Sequence, residues 1–110
     1  MPNKLLDTIL QWNIRGLLSN SKELKCLTSI YNPICMTINE TKIDDPKRVV
    51  DRSFKNYSPY YLNDNTKTGN VILIRKDVQF TPINLNTPLN ALAIKLTRED
   101  KHIHICSIYL

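Results

Sequence analysis

Two polar residues stand where short apolar runs end. Asn13 closes Thr8-Ile9-Leu10-Gln11-Trp12, and Glu40 follows Ile34-Cys35-Met36-Thr37-Ile38 with only Asn39 between. Each has a cation two positions on, Arg15 and Lys42. A carboxylate held at a sheet edge among amides and cations suits a hard cation such as Mg²⁺, which takes oxygen ligands and shares its shell with water and phosphate. The neighbouring cations suit a phosphodiester. The plainer alternative is that Asn13 caps a turn and Glu40 is an ordinary exposed carboxylate, and spacing alone leaves both open.

Two further groupings carry less. His102, His104 and Cys106 alternate along one run and could supply half of a transition-metal site, but Cys26 and Cys35 share no ligand spacing that would complete it. The expectation is that the histidines form the polar face of a strand. Lys47, Arg48, Arg52 and Lys55 lie beside Phe54, Tyr57, Tyr60 and Tyr61, a mixture that can track a nucleic-acid backbone. Asp44, Asp45 and Asp51 dilute that charge, so a solvated loop followed by a core-facing aromatic strand is expected there. Gly16 and Gly69 stand too far apart for a Gly-rich phosphate loop, and there is no Gly-x-Ser-x-Gly.

These residues need a scaffold. Thr8 to Asn13 reads as a short strand, closed by the turn signal Arg15-Gly16. Asn20 with Glu23 three positions on reads as a helix N-cap with a capping-box partner, and Leu24, Leu27, Ile30 and Tyr31 follow at helical spacing. Asn32-Pro33 stops that helix. Residues 34 to 38 carry almost no polar relief, as a strand covered on both faces does. Strand, helix and strand predict a βαβ unit with parallel strands, which puts Asn13 and Glu40 at the same sheet edge.

Lys42 to Lys55, with Asp44-Asp45-Pro46 read as a breaker, is expected to be a surface loop with at most one helical turn. A strand is expected over Tyr57 to Leu62, a long turn over Asn63 to Gly69, and a second fully buried strand over Val71 to Ile74. Another short strand is expected over Val78 to Thr81, then loop from Pro82 to Asn90. Ala91 to Leu96 and His102 to Leu110 form a hairpin around Thr97-Arg98-Glu99-Asp100-Lys101. The order predicts an α+β layered sandwich.

The 110 residues make one domain at most, and 42% hydrophobic content rules out a disordered tail. The longest aliphatic run, Val71 to Ile74, is far too short to span a membrane. A formal charge of +5 favours anionic partners. Met1 to Asp7 holds no hydrophobic stretch long enough for a secretory signal, so an intracellular, reducing compartment is expected. Three widely spaced cysteines agree, each read as a small buried hydrophobe.

Four segments together resemble a known family. Leu10-Gln11-Trp12-Asn13-Ile14-Arg15-Gly16-Leu17 resembles the "QWN-x-RGL" opening of the endonuclease/exonuclease/phosphatase superfamily, in the form found in the endonuclease domain of jockey-like non-LTR retrotransposon polyproteins. Tyr31-Asn32-Pro33 with Ile38-Asn39-Glu40-Thr41-Lys42 is similar to its "NPD-x-x-x-LQETK". Thr68 to Asp77 looks like its "GGVAILIRKD", and Ile105-Cys106-Ser107-Ile108-Tyr109 like its "I-x-S-x-Y".

The resemblance implies the N-terminal part of a four-layer α/β/β/α sandwich of the apurinic-endonuclease or DNase I-like kind. It also implies cleavage of DNA phosphodiesters with one Mg²⁺ or Mn²⁺, in a polyprotein that carries a reverse transcriptase. No small-molecule cofactor and no membrane partner are implied, and an active element would need access to the nucleus. Carried over residue by residue, Glu40 would be the principal metal carboxylate, and Asn13 would help orient the phosphate and the metal shell. Tyr109 would contact the scissile phosphate, with Arg15 and Lys42 on the nucleic acid.

Asn39 departs from the family's Gln, Thr68 from its first Gly, and Asn90 from a frequent Glu. The family's later Asp-x-Asn and Ser-Asp-His motifs are not found in these residues, and the sequence stops within the apolar Ile108-Tyr109-Leu110. The expectation is a partial domain over residues 1–110, truncated at its C-terminus, with no general base and little nuclease activity of its own. Two rival expectations are a non-catalytic basic module binding nucleic acid through Lys47 to Tyr61, and a degenerate remnant.

Overall fold

The computed structural model describes residues 7–62 and 69–109. The turn expected over 63–68, the departure at Thr68, and the ends of the chain lie outside the described residues. The elements run β1 (Ile9–Asn13), α1 (Ser21–Tyr31), β2 (Cys35–Asn39), α2 (Pro46–Ser53), β3 (Tyr57–Tyr60), β4 (Val71–Arg75), β5 (Gln79–Ile83), β6 (Asn90–Arg98) and β7 (Lys101–Tyr109). One sheet has the order β1-β2-β4-β3, with β1 and β2 parallel as the βαβ reading requires. The other is the antiparallel meander β5-β6-β7. The α+β layered reading therefore stands.

The aliphatic runs divide the core into two layers. Met36, Ile38, Val71 and Leu73 face outward against Leu24 of α1 and Val50 of α2, joined by Phe54 and Tyr57. Cys35, Ile72 and Ile74 face inward against Leu92, Ile94 and Leu96 of β6. Residues alternate between faces along a strand. All of β2 is consequently buried, as its unrelieved apolar sequence predicts.

That inward face changes character along its length. Near the start of β2 it is aliphatic. Toward the C-terminal ends of β1 and β2 it carries Gln11, Asn13, Thr37 and Asn39, paired in register as Gln11 with Thr37 and Asn13 with Asn39.

Several local expectations need correction. Residues 46–53 are a full two-turn helix, because Asp45 accepts a hydrogen bond from the Arg48 amide at 3.2 Å and Pro46 occupies the first turn. The Asp-Pro pair is a helix start, since proline's missing N–H is not needed there. Asn20 makes no side-chain cap on α1; its Nδ2 instead donates to the carbonyls of Ile14 (2.8 Å) and Gly16 (3.2 Å). Ile30 and Tyr31 are exposed, because Leu24, with the half-buried Leu27 and Thr28, forms the packed face of α1.

The strand β5 runs on through Pro82, which an edge strand tolerates. The last hairpin closes on Glu99-Asp100 alone, both left-handed, rather than on five residues. Of the cysteines only Cys35 is buried; Cys26 and Cys106 are exposed. Burial pushes the Cys35 thiol up to about 12.

Candidate functional site

The hydrogen-bond ladder between β1 and β2 continues past both strands. Ile14 N donates to Asn39 O (3.0 Å), Gly16 N to Glu40 O (2.7 Å) and Leu17 N to Thr41 O (2.8 Å). Two loops are thereby zipped together at the sheet edge. On them Arg15, Glu40 and Lys42 all hold left-handed backbone, with φ of 52°, 56° and 54°. Such a conformation is uncommon for residues with a Cβ and costs on the order of 1 kcal/mol or more each, so the surrounding bonds must impose it.

Those bonds are visible. Besides the zipper, Asn20 Nδ2 holds the Ile14 and Gly16 carbonyls, and the Thr41 amide donates to Gly69 O at 3.1 Å. Gly69 itself has a φ of +67° and lies so close that a Cβ there would meet Thr41 and the Lys42 amide.

Across this edge comes the end of β7. The Tyr109 hydroxyl donates to Glu40 Oε1 at 2.6 Å, joining residues 69 apart in sequence. Donation to a carboxylate holds the Tyr109 phenol above its ordinary value of 10.0, since ionising it would set two anions side by side. Desolvation acts the same way, and the Arg15 charge opposes both. Arg15, Glu40 and Tyr109 thus share one electrostatic neighbourhood. Asn13 is exposed on the same sheet face as Asn39, one register position before Glu40, and Lys42 is exposed two residues beyond it.

Beneath the edge lies a group that the sequence pattern does not single out as a unit. Asn39 Nδ2 donates to Asn70 Oδ1 (3.0 Å) and to Ser107 Oγ (3.3 Å), and Ser107 Oγ donates to Asn70 Oδ1 (3.0 Å). Asn70 Nδ2 donates to the carbonyls of Ser107 (3.2 Å) and Asn90 (3.4 Å). Gln11 Nε2 completes the set by donating to Asn39 Oδ1 at 3.2 Å. The signal available in the sequence is that Asn39 and Ser107 flank the candidate residues within their motifs.

The other groupings separate from this site. His102 contacts Thr97 Oγ1 through Nδ1 at 3.1 Å, and no cluster of three metal-binding side chains of the His, Cys, Asp and Glu kind occurs among the described residues. In the basic stretch Phe54 and Tyr57 are buried, with Tyr57 OH donating to Pro33 O (2.6 Å), so neither offers a ring to a base. Lys47 pairs with Asp51 at 2.8 Å. A cavity of about 720 Å³ lined by Tyr60, Leu62, the end of β5 and the 84–89 loop contains none of the candidate residues. No helix among the described residues is long and apolar enough to cross a membrane.

Two solved structures resemble this one. The crystal structure of TDP2 from C. elegans matches with a TM-score of 0.53 and 23% identity, over 80% of this chain and 30% of that chain. The human Nocturnin catalytic domain with bound sulfate anion matches with a TM-score of 0.54 and 20% identity, over 89% of this chain and 46% of that one. The fold is DNase I-like. No family model and no curated protein matches the sequence. Helices, a mixed sheet and a second antiparallel sheet form three successive layers of the DNase I-like sandwich, and the chain spans less than half the length of either neighbour.

Proposed function

We propose that this edge is the metal- and phosphate-holding half of a phosphodiesterase site, in the endonuclease portion of a jockey-like non-LTR retrotransposon polyprotein. The intact parent would enter the nucleus and nick target DNA. The observation that carries the reading is the Glu40–Tyr109 hydrogen bond, because it joins side chains from two motifs that lie far apart in the sequence. The three left-handed residues at the same edge add support, since backbone strain of this kind gathers at working sites.

The donor set fits a hard cation. The edge offers oxygen from the Glu40 carboxylate, the Asn13 amide and the Tyr109 phenol, and no thiol or imidazole takes part in it. One carboxylate with neighbouring amides matches Mg²⁺ or Mn²⁺, which bind through one or two carboxylates and keep several waters. Glu40 would hold the ion and Asn13 would orient its shell. The ion would stabilise charge on the phosphoryl oxygens and the leaving group.

The remaining roles belong to the chain itself. Tyr109 would turn its hydroxyl from Glu40 to a phosphate oxygen, and Arg15 and Lys42 would meet flanking phosphates. None of these groups is a base suited to activating water, so that step falls to residues of the kind found in the Asp-x-Asn and Ser-Asp-His motifs.

A plasmid-nicking assay with Mg²⁺ tests this. A chain that also carries those two motifs should nick, and Glu40→Ala should abolish the activity, whereas the 110 residues alone should not turn over. Nicking indifferent to Glu40 refutes the site. Strong Glu40-dependent nicking by the 110 residues alone refutes the division of roles.

A further inference from the structure

We propose that Asn39, Asn70 and Ser107 act as a positioning clasp that sets Glu40 and Tyr109 against each other across the two sheets. Asn39 immediately precedes Glu40 on β2, and Ser107 lies two residues before Tyr109 on the same face of β7. Asn70 leads into β4 and accepts from both of them. The three are 6%, 1% and 6% exposed. The inference rests on the phosphodiesterase reading only for the purpose the clasp serves; the coupling it describes is a property of this chain.

Satisfaction is complete on the donor side. Both Asn39 Nδ2 hydrogens, both Asn70 Nδ2 hydrogens and the Ser107 hydroxyl hydrogen have acceptors, and Asn39 Oδ1 accepts from Gln11. A buried polar group left without a partner is strongly unfavourable, so such a network tolerates one arrangement of its strands and penalises others. Aliphatic residues at these positions would bury just as well, as Ile72 and Leu92 do nearby, but would let β7 slide. A shift of one residue would point Ser107 outward and carry Tyr109 away from Glu40. The amide–hydroxyl set therefore fixes register at the one place where two chemically reactive side chains must meet.

The test is a double-mutant cycle read by denaturant titration at pH 7. Tyr109→Phe removes the hydroxyl bond to Glu40, and the stability it costs the parent reports that the two side chains meet. In a Ser107→Ala background that cost should largely vanish, and in Ser107→Thr, which keeps the hydroxyl, it should persist. Val78→Ala, in the apolar core between the sheets, should lower the melting temperature and leave the cost of Tyr109→Phe unchanged. A folded Ser107→Ala chain in which Tyr109→Phe costs as much as in the parent overturns the clasp, as does an equal loss in Val78→Ala.

Should Ser107→Ala fail to fold, Gln11→Ala at the exposed end of the network serves in its place. A partial loss of the Tyr109→Phe cost supports the clasp and an unchanged cost overturns it. The nicking assay separates the two proposals. If nicking by the longer chain is indifferent to Glu40 while Ser107→Ala removes the cost of Tyr109→Phe, the metal site fails and the clasp stands; the reverse pattern removes the clasp alone.

Discussion

Replacing Gly69 with alanine tests whether the loop carrying Glu40 is held by close backbone contact. The added Cβ would lie 2.7 Å from the Thr41 amide nitrogen and 2.9 Å from that of Lys42, besides striking Thr41 Oγ1. The nitrogens are backbone atoms, so the loop must move. Alanine at a φ of +67° costs about 1–2 kcal/mol in backbone conformation, and forcing an extra methyl into a packed site costs about 1–3 kcal/mol. The freedom alanine removes from the unfolded chain offsets about 0.4–1 kcal/mol. The net loss is about 1–5 kcal/mol.

At roughly 2.1 cal/mol/K per residue, a chain of 110 residues has an unfolding entropy near 0.23 kcal/mol/K, so each kcal/mol lowers the melting temperature by about 4 °C. Melting followed by far-ultraviolet circular dichroism should fall by about 4–20 °C. Gly69→Asn separates the contributions, since asparagine tolerates left-handed backbone but keeps the clash; it should recover only part of the loss. A Gly69→Ala chain melting within about 2 °C of the parent would refute the argument.

Other outcomes follow from features away from that loop. A thiol reagent should modify Cys26 and Cys106 rapidly and Cys35 only on unfolding, and mass spectrometry will assign the sites. Cys35 is raised from 9.0 to about 12, so its stabilising effect is full below pH 9 and lost as pH rises toward 12. Denaturant titrations over that range should show stability falling by up to about 1.4 kcal/mol per pH unit, a slope that Cys35→Ala flattens. Asp45→Ala removes the cap of α2 and should cost about 1 kcal/mol by the same titration at pH 7, with Asp45→Asn retaining most of it. Glu40→Gln should lower the Tyr109 titration, because the anion that opposes phenolate is gone.

What can be read from the sequence depends on whether a residue's role is local. Asn13 and Glu40 stand out because each closes an apolar run, and the parallel pairing of β1 and β2 carries them to one edge. Tyr109 has no local mark. Its partner lies 69 residues away, so only the family resemblance points to it. Asp45-Pro46 is legible but reads as an interruption, although an acceptor followed by proline is equally the start of a helix. Asn20 reads as a cap because its type and spacing allow one, yet its amide is drawn to the carbonyls of the turn before it. Asn70 looks like the end of a polar turn. Its burial comes from β7 closing over it, which no pattern within its own segment records.

The long reach of the Glu40–Tyr109 bond bears on how the molecule folds. Contacts between β1 and β2, and within the β6–β7 hairpin, close short or moderate loops. The union of Asn39 with Ser107 and of Glu40 with Tyr109 must close 68 and 69 residues. Loop-closure entropy delays such non-local contacts, so these bonds belong to the late, slow stage of folding. Each sheet can take shape while the edge between them is still open, and a chain stalled at that point would have nearly native secondary structure and no Glu40–Tyr109 bond. The raised titration of Tyr109 is therefore a signal of finished folding, one that far-ultraviolet circular dichroism would report too early.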